Sequence, residues 1–385
     1  MLPLLRALVP ALLVVTAPTL APSPAHAGTL PRCDGELVTI DLNDPDHEDP
    51  DSNLSSVILG TPGDDDIQSG RGDDLICAGD GDDTVDSGPG VDDVFGEGDN
   101  DTLTGGNLGD NLHGGPGDDV LIGETGDDLL DGGDGTDVIR YGGASVGIVI
   151  DLGRTTPQTN GGNVGDDTVE AVENIDGTRY DDDLTGTEDA NLFDSGDGAD
   201  RLHGNGGDDV FRSGAGDDLL YGDAGADRLD ASAGNDILAG GADDDVLLGG
   251  GGRDLVDAGP GDDDAIAGFG ADYLLGGADD DDLNGGPGVD YLSYIDAPDG
   301  VVVDLAVDAR QDTGEGLDKL RSIETVQGSP YADRLLGSRR ADTLDGNKGD
   351  DVLRGRKGND ELIGRAGTDT CAGGPGRDRI FTCER

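Results

Sequence analysis

An aspartate recurs at every ninth residue across the first third of the chain: Asp65, Asp74, Asp83, Asp92, Asp101, Asp110, Asp119, Asp128 and Asp137. Two positions after each stands an aliphatic residue: Ile67, Ile76, Val85, Val94, Leu103, Leu112, Leu121, Leu130 and Ile139. A glycine-rich run precedes each, as in Gly114-Gly115-Pro116-Gly117-Asp118-Asp119-Val120-Leu121-Ile122. Such a period constrains the fold strongly, because a nonamer with one dependable apolar residue buries nothing alone. Its Gly- and Asp-rich six residues suit a turn, and the remaining three suit a short strand whose middle side chain faces one way. Turn, strand, turn, strand closes a coil in eighteen residues. Coils stacked at about 4.8 Å form two parallel sheets with the middle aliphatics between them. The expected class is therefore all-β, a parallel β-roll or β-solenoid of eighteen-residue coils.

The pattern lapses at Gly142 and returns with Asp182, Asn191, Asp200, Asp209, Asp218, Asp227, Asp236, Asp245, Asp254, Asp263, Asp272, Asp281 and Asp290. A last block carries Asp333, Asp342, Asp351, Asp360, Asp369 and Asp378. Asn191 is the one neutral residue at this place in twenty-eight nonamers.

Equivalent turns recur at i and i+18, which brings Asp65 near Asp83 and Asp74 near Asp92. Like charges a few ångströms apart are costly unless a cation lies between them. Carboxylate and turn carbonyl oxygens are hard donors that suit calcium far better than zinc or copper. Magnesium gives up its water too reluctantly to be caged by protein alone. The expected ligands to multiple calcium ions are all nine aspartates of the first block, those from Asp200 to Asp290 in the second, and those from Asp342 to Asp378 in the third.

These nonamers resemble the RTX (haemolysin-type) calcium-binding nonapeptide repeat, Gly-Gly-x-Gly-x-Asp-x-aliphatic-x. The resemblance implies a parallel β-roll with calcium between successive turns on each edge. It makes Asp119 the sixth-position ligand of the repeat starting at Gly114, and Leu121 its core residue. The fourth-position glycine is replaced in eight repeats, by Asp99, Leu108, Tyr180, Asp189, Asp243, Asp279, Tyr331 and Arg340. Non-Gly residues resist positive φ, so calcium is expected to be weakest or absent around 96–113, 178–195 and 331–344.

Acidic residues number 85 against 24 basic ones, for a formal charge of −61, and aromatics make up only 3%. That composition alone reads as disorder. Disorder needs no register, however, whereas stacking does. The first 27 residues read as a secretory signal peptide, with Arg6, an apolar stretch from Ala7 to Leu20, and Ala25-His26-Ala27 before the cleavage point. A membrane anchor is disfavoured by the shortness of that stretch and by Pro10 and Pro18. An extracellular, secreted, monomeric protein is expected. The four cysteines fall in pairs at the two ends, and of three connectivities the local one, Cys33–Cys77 with Cys371–Cys383, is favoured.

The two gaps repeat each other: Tyr141 to Leu152 matches Tyr294 to Leu305, and Tyr180 and Tyr331 close each unit. Their apolar runs predict longer strands that continue the stack, against the alternative of separate binding domains. The boundaries read as signal peptide 1–27, N-terminal cap 28–59, first block 60–141, insert 142–181, second block 182–293, insert 294–332, and third block with C-terminal cap 333–385. Within the cap, Glu36 to Leu42 alternates like a strand.

Enzyme chemistry finds little support. His47 lies in an acidic loop, while His113 and His203 take outward-facing ninth positions; no His-Glu-x-x-His exists. No nucleophile has a recognisable base, and no phosphate loop is present. The charge argues against nucleic acid and anionic membranes. The expected function is calcium binding by a secreted structural or surface roll that folds on binding the ion. An adhesin for extracellular polysaccharide or cell surfaces is an alternative. A polysaccharide lyase or epimerase with a cleft beside Tyr141, Tyr180, Tyr294 and Tyr331 is another.

Overall fold

The computed structural model describes residues 32–41 and 54–383, so the expected signal peptide and the acidic loop 43–53 lie outside it. Within those residues the chain forms forty short strands and no helix. Outside the inserts the pairings in the roll are parallel with an offset of eighteen residues: Leu103 opposite Leu121, Leu121 opposite Ile139, Leu229 opposite Leu247. The eighteen-residue coil is thus the unit of the fold.

Strands are longer than the three-residue reading in many coils. Val120–Thr125 and Asn111–Pro116 run on past the apolar triplet. The start of the next nonamer also pairs with its neighbour, as Gly115 does with Gly133 and Pro116 with Asp134. Side chains then alternate through the six residues. In Val120–Thr125 the eighth-position Leu121 and the following Gly123 face inward, and the flanking residues are more exposed.

The core is a single file. The eighth-position residues from Ile40 to Leu362 form one continuous buried cluster, with Leu121, Leu247 and Leu344 fully buried. Phe193 and Phe211, one coil apart, stack with ring centroids 5.1 Å apart and planes parallel. Each such side chain contributes about 1.5–3 kcal/mol by leaving water. No nonamer keeps that gain without its neighbours.

The inserts continue the stack, each by interrupting one sheet while the other passes through. An eight-stranded sheet starts at Ile40–Asp41 and ends at Gly165–Glu170, where the antiparallel strand Gln158–Gly161 closes it. A twelve-stranded sheet takes its place, starting at Val149–Asp151. Meanwhile a fourteen-stranded sheet runs from Val138–Arg140 through Asn174–Thr178 without a break. The second insert exchanges the roles. The fourteen-stranded sheet ends at Leu317–Arg321 with its antiparallel closure Gln311–Asp312, and a four-stranded sheet begins at Val302–Asp304. There the twelve-stranded sheet is the one that continues, through Thr325–Gln327. Asp304 in this insert accepts two hydrogen bonds from Arg356 of the third block, at 2.5 and 2.7 Å.

Both ends are stapled by the local disulfides Cys33–Cys77 and Cys371–Cys383. The alternating stretch near the N-terminus is not one strand. Arg32–Cys33 and Glu36–Leu37 form a small antiparallel hairpin, and Ile40–Asp41 joins the roll as its first rung.

Candidate metal centre: the turn ladders

The sixth-position aspartates form two ladders, one along each edge. In each ladder Oδ1 accepts the backbone N–H of the aspartate one coil earlier. Asp101 donates to Asp119 at 2.7 Å, Asp119 to Asp137 at 2.8 Å, and Asp209 to Asp227 at 2.8 Å. Neighbouring rungs therefore place equivalent carboxylates side by side, as the eighteen-residue spacing predicts. A second, exposed ladder was not read from the sequence. Fifth-position residues accept N–H groups from the rung after, as Asp118 does from Thr136 at 3.0 Å and Asp82 from Asn100 at 3.1 Å. The recurrent Asp-Asp doublet was its available signal.

The other carboxylate oxygen behaves differently. Among the described residues, Oδ2 is buried without a hydrogen-bond donor at twenty-one aspartates: seven in the first block, ten from Asp209 to Asp290, and Asp333, Asp351, Asp360 and Asp369. Buried polar atoms are almost always satisfied. The repetition of the same orphan on both edges marks a shared requirement for a positive partner.

The surroundings are all oxygen. A Cβ placed on Gly114 would lie 2.2 Å from Asp119 Oδ2 and 2.5 Å from the carbonyl oxygen of Gly132. On Gly222 it would lie 2.2 Å from Asp227 Oδ2 and 2.5 Å from the Gly240 carbonyl. First-position glycine thus keeps open a cradle where one carboxylate oxygen meets the main-chain carbonyl of the next coil. Asp128 and Asp378 likewise face their first-position glycines, their Oδ2 atoms 2.2 and 2.3 Å from a Cβ on Gly123 and Gly373. Among the described residues no three His, Cys, Asp or Glu side chains converge as a metal cluster. A cation in such a turn therefore relies on carbonyls as much as on carboxylates, which is a donor set for calcium.

Inside the blocks, second-position residues adopt positive φ whatever their type: Gly115 at 111°, Glu97 at 78°, Asn205 at 71°, Arg356 at 72°; Thr61, Thr178, Thr187, Ser329 and Ser338 stay outside that region. The fourth position is less uniform. Asp99, Leu108, Asp243 and Asp279 reach positive φ of 70–84°, whereas Tyr180, Asp189, Tyr331 and Arg340 stay outside that region. Asp101 and Asp110, beside Asp99 and Leu108, keep bare Oδ2 atoms like their neighbours, so the geometry does not set 96–113 apart. It does set apart 178–195 and much of 331–344. There Thr178 donates its N–H to Asp182 at 2.8 Å, and Ser338 donates to Asp342 at 2.5 Å. Asp65 is closed in the same way by Thr61, at 2.6 Å. At Asp200 the hydroxyl of Ser195 donates to Oδ2 at 2.6 Å.

The inserts supply ladder rungs that the sequence reading missed. Asp128 N–H donates to Asp167 at 3.0 Å and Asp137 N–H to Glu173 at 2.8 Å; in the second insert Asp281 donates to Asp318 and Asp290 to Glu324, both at 3.2 Å. Their signal was the matched offset of Asp167 and Asp318 in the two inserts, hidden by coils longer than eighteen residues. Tyr141 and Tyr294 are buried; Tyr141 lies at a small pocket with Arg140, Asn163 and Val164 and donates its hydroxyl to Asp167 at 2.9 Å. His113 stacks on Phe95, and His203 on Tyr221.

Burial, more than the neighbouring aspartates, pushes these carboxyls up against the lowering effect of their backbone hydrogen bonds: Asp110 and Asp281 to about 8, Asp101, Asp209 and Asp245 to about 7. These folded-state values lie above the unfolded ones. Protonation therefore stabilises the metal-free roll fully below the unfolded pKa, and that contribution is lost as pH rises through about 6–8. In excess chelator, the far-UV circular dichroism signal for β-structure is expected to be larger at pH 5 than at pH 8. An unchanged signal would refute this.

A search of curated proteins returns no match. The model of one family, described as the RTX calcium-binding nonapeptide repeat, matches in overlapping segments over 59–139, 176–292 and 327–380. Those segments cover most of the chain and stop where the two inserts begin. With its coils, ladders and all-oxygen turns, the chain belongs to the RTX calcium-binding nonapeptide-repeat family and is a calcium-binding β-roll of that family.

Proposed function

We propose that calcium ions bind along both edges of the roll, and that binding and folding of this chain are one event. The aspartates with a bare Oδ2, from Asp74 to Asp369, together with Asp128 and Asp378, are the side-chain ligands, and carbonyls of adjoining coils complete the set. The series of orphaned Oδ2 atoms carries this reading. A bound divalent ion supplies positive charge between carboxylates that otherwise repel. The protein's own role is to hold Oδ1 on the preceding rung's N–H, so that Oδ2 points into the turn. Metal binding of this kind supplies folding free energy directly.

The leader-like first 27 residues support export to a calcium-rich exterior, where such a roll acts as a structural or surface element. Calorimetric titration of the chelator-treated chain tests the binding. Calcium is expected to bind at many ions per chain, with a large heat from coupled folding, while magnesium at equal concentration gives little. Failure to retain calcium after dialysis would sink the reading.

A further inference from the structure

Four nonamers at the starts of the blocks are built differently from those that follow. In the turns of Asp65, Asp182, Asn191 and Asp342 the second residue is Thr61, Thr178, Thr187 or Ser338. Each donates its backbone N–H to the sixth-position side chain, at 2.6, 2.8, 2.8 and 2.5 Å. The hydroxyls of Thr61, Thr178 and Ser338 add bonds of 3.2, 2.9 and 3.0 Å to the same carboxylates. None of these four carboxylate or amide groups has an orphaned oxygen. Ser329 is an intermediate case: its hydroxyl reaches Asp333 Oδ1 at 2.7 Å, while Oδ2 remains without a donor.

Two further observations fit. The hydroxyl also accepts the fourth-position N–H, from Tyr180 at 2.9 Å, Asp189 at 3.1 Å and Arg340 at 3.0 Å. That bond holds the fourth residue outside the left-handed region, so glycine is not needed there. The neutral Asn191 also falls in one of these turns. Its amide donates to the Glu173 carbonyl at 2.7 Å, placing an N–H where other turns offer only oxygens.

Residue type alone does not produce this turn. Ser232 holds the second position inside the second block, but at φ 64° its hydroxyl bonds Asp230, and Asp236 Oδ2 stays bare. Inside a block, the second residue lies over its counterpart one coil earlier; a Cβ on Gly115 would be 2.4 Å from the Glu97 carbonyl oxygen. The repeats of Thr61, Thr178, Thr187 and Ser338 have no nonamer eighteen residues before them, and their second residues turn inward instead; the repeat of Asp74 also lacks one, but its second residue is Gly70 at φ 95° and Asp74 Oδ2 stays bare.

We propose that these four hydroxyl-closed turns take no calcium: Thr61, Thr178, Thr187 and Ser338 occupy the oxygens that a cation would use. The inference rests on the reading of the open turns as calcium sites. The closed turns start the ladders that the ion completes. Asp65 presents its N–H to Asp83 Oδ1 at 2.8 Å, Asp182 to Asp200 at 2.8 Å, Asn191 to Asp209 at 2.7 Å and Asp342 to Asp360 at 3.1 Å. The four second-position residues are thus positioning residues that orient the first ladder side chain of four series, Asp65, Asp182, Asn191 and Asp342.

Two matched triple variants of the full chain provide the test. One is Asp65→Asn with Asp182→Asn and Asp342→Asn; the other is Asp83→Asn with Asp209→Asn and Asp351→Asn. Each is equilibrated in millimolar calcium and dialysed, and bound calcium per chain is counted by atomic emission, with circular dichroism confirming the roll. The first is expected to keep the wild-type count, since Asn191 already serves in such a turn. The second is expected to lose three ions. A loss of three ions in the first variant overturns the proposal and leaves the calcium reading standing. No loss in either, or a wild-type chain without calcium, overturns the calcium reading itself. A converse variant covers the case where losing aspartate unfolds the chain: Thr178→Gly with Tyr180→Gly and Ser338→Gly with Arg340→Gly reopen two turns. Two added ions are expected, and an unchanged count overturns the proposal.

Discussion

In excess chelator at pH 8, the full chain is expected to lose most of its β-structure and to expand to several times its volume. Carboxylates on adjacent rungs are separated by about one rung spacing, roughly 5 Å, and repel by about 3 kcal/mol per pair at an effective dielectric of 20. The pairs recur along both edges of a chain with a formal charge of −61. Opposing them is one file of aliphatic side chains and few aromatics. Small-angle scattering and circular dichroism make the check. Roughly twenty rungs at about 4.8 Å give a rod with a radius of gyration near 30 Å, against about 70 Å for an unfolded chain of this length. Returning calcium should restore the compact form, and magnesium at the same concentration should not. An unchanged radius and β signal in chelator would remove the electrostatic argument entirely.

The second large effect is steric. Fourth-position glycines of the second block form a column along one edge, each close over the carbonyl of the one before. A Cβ on Gly234 would lie 1.4 Å from the Gly216 carbonyl oxygen, and one on Gly252 1.4 Å from that of Gly234. Backbone atoms cannot step aside as a flexible side chain could. Gly234→Ala must therefore push adjacent rungs apart, which breaks their hydrogen bonds and pulls the ladder oxygens of Asp218, Asp236 and Asp254 out of line. A loss of at least about 2–3 kcal/mol is expected. It should appear as a lower thermal midpoint in saturating calcium and faster amide exchange confined to the flanking coils, since solenoid stability is transmitted by nearest neighbours. Gly251→Ala is the control. A Cβ there meets nothing within 4 Å, and a change of less than about 0.5 kcal/mol is expected. Equal effects in the two variants would show that rung spacing is not what the column protects.

Two features were legible because they are periodic. Eighteen residues per coil follows from nine-residue phase, and Leu121 against Ile139 or Asp209 against Asp227 needs no further information. The disulfides were legible because the cysteines fall at opposite ends. Other features were not. Glu173 and Glu324 stand on ladder rungs, but coils lengthened by the inserts bring them there, 36 and 34 residues after Asp137 and Asp290. The exchange of sheets at each insert was equally hidden, because a strand's partner depends on where the longer coil lands. Nor does a fourth-position substitution by itself fix the backbone: Leu108 adopts a φ of 81° that its side chain disfavours, whereas Tyr180 stays outside that region.

From the amino-acid sequence alone come the all-β class, the coil length, the buried file and the aspartate on every turn, because each is a repeating local choice that only one stacking can satisfy. Which oxygens remain without a donor was decided by tertiary structure. Asp65 and Asp83 are the same residue at the same phase, yet Asp65 is closed by Thr61 and Asp83 is open. Two things differ: Thr61 stands where the Asp83 repeat has Gly79, and no regular coil sits beneath the Asp65 turn; the nonamer encodes only the first.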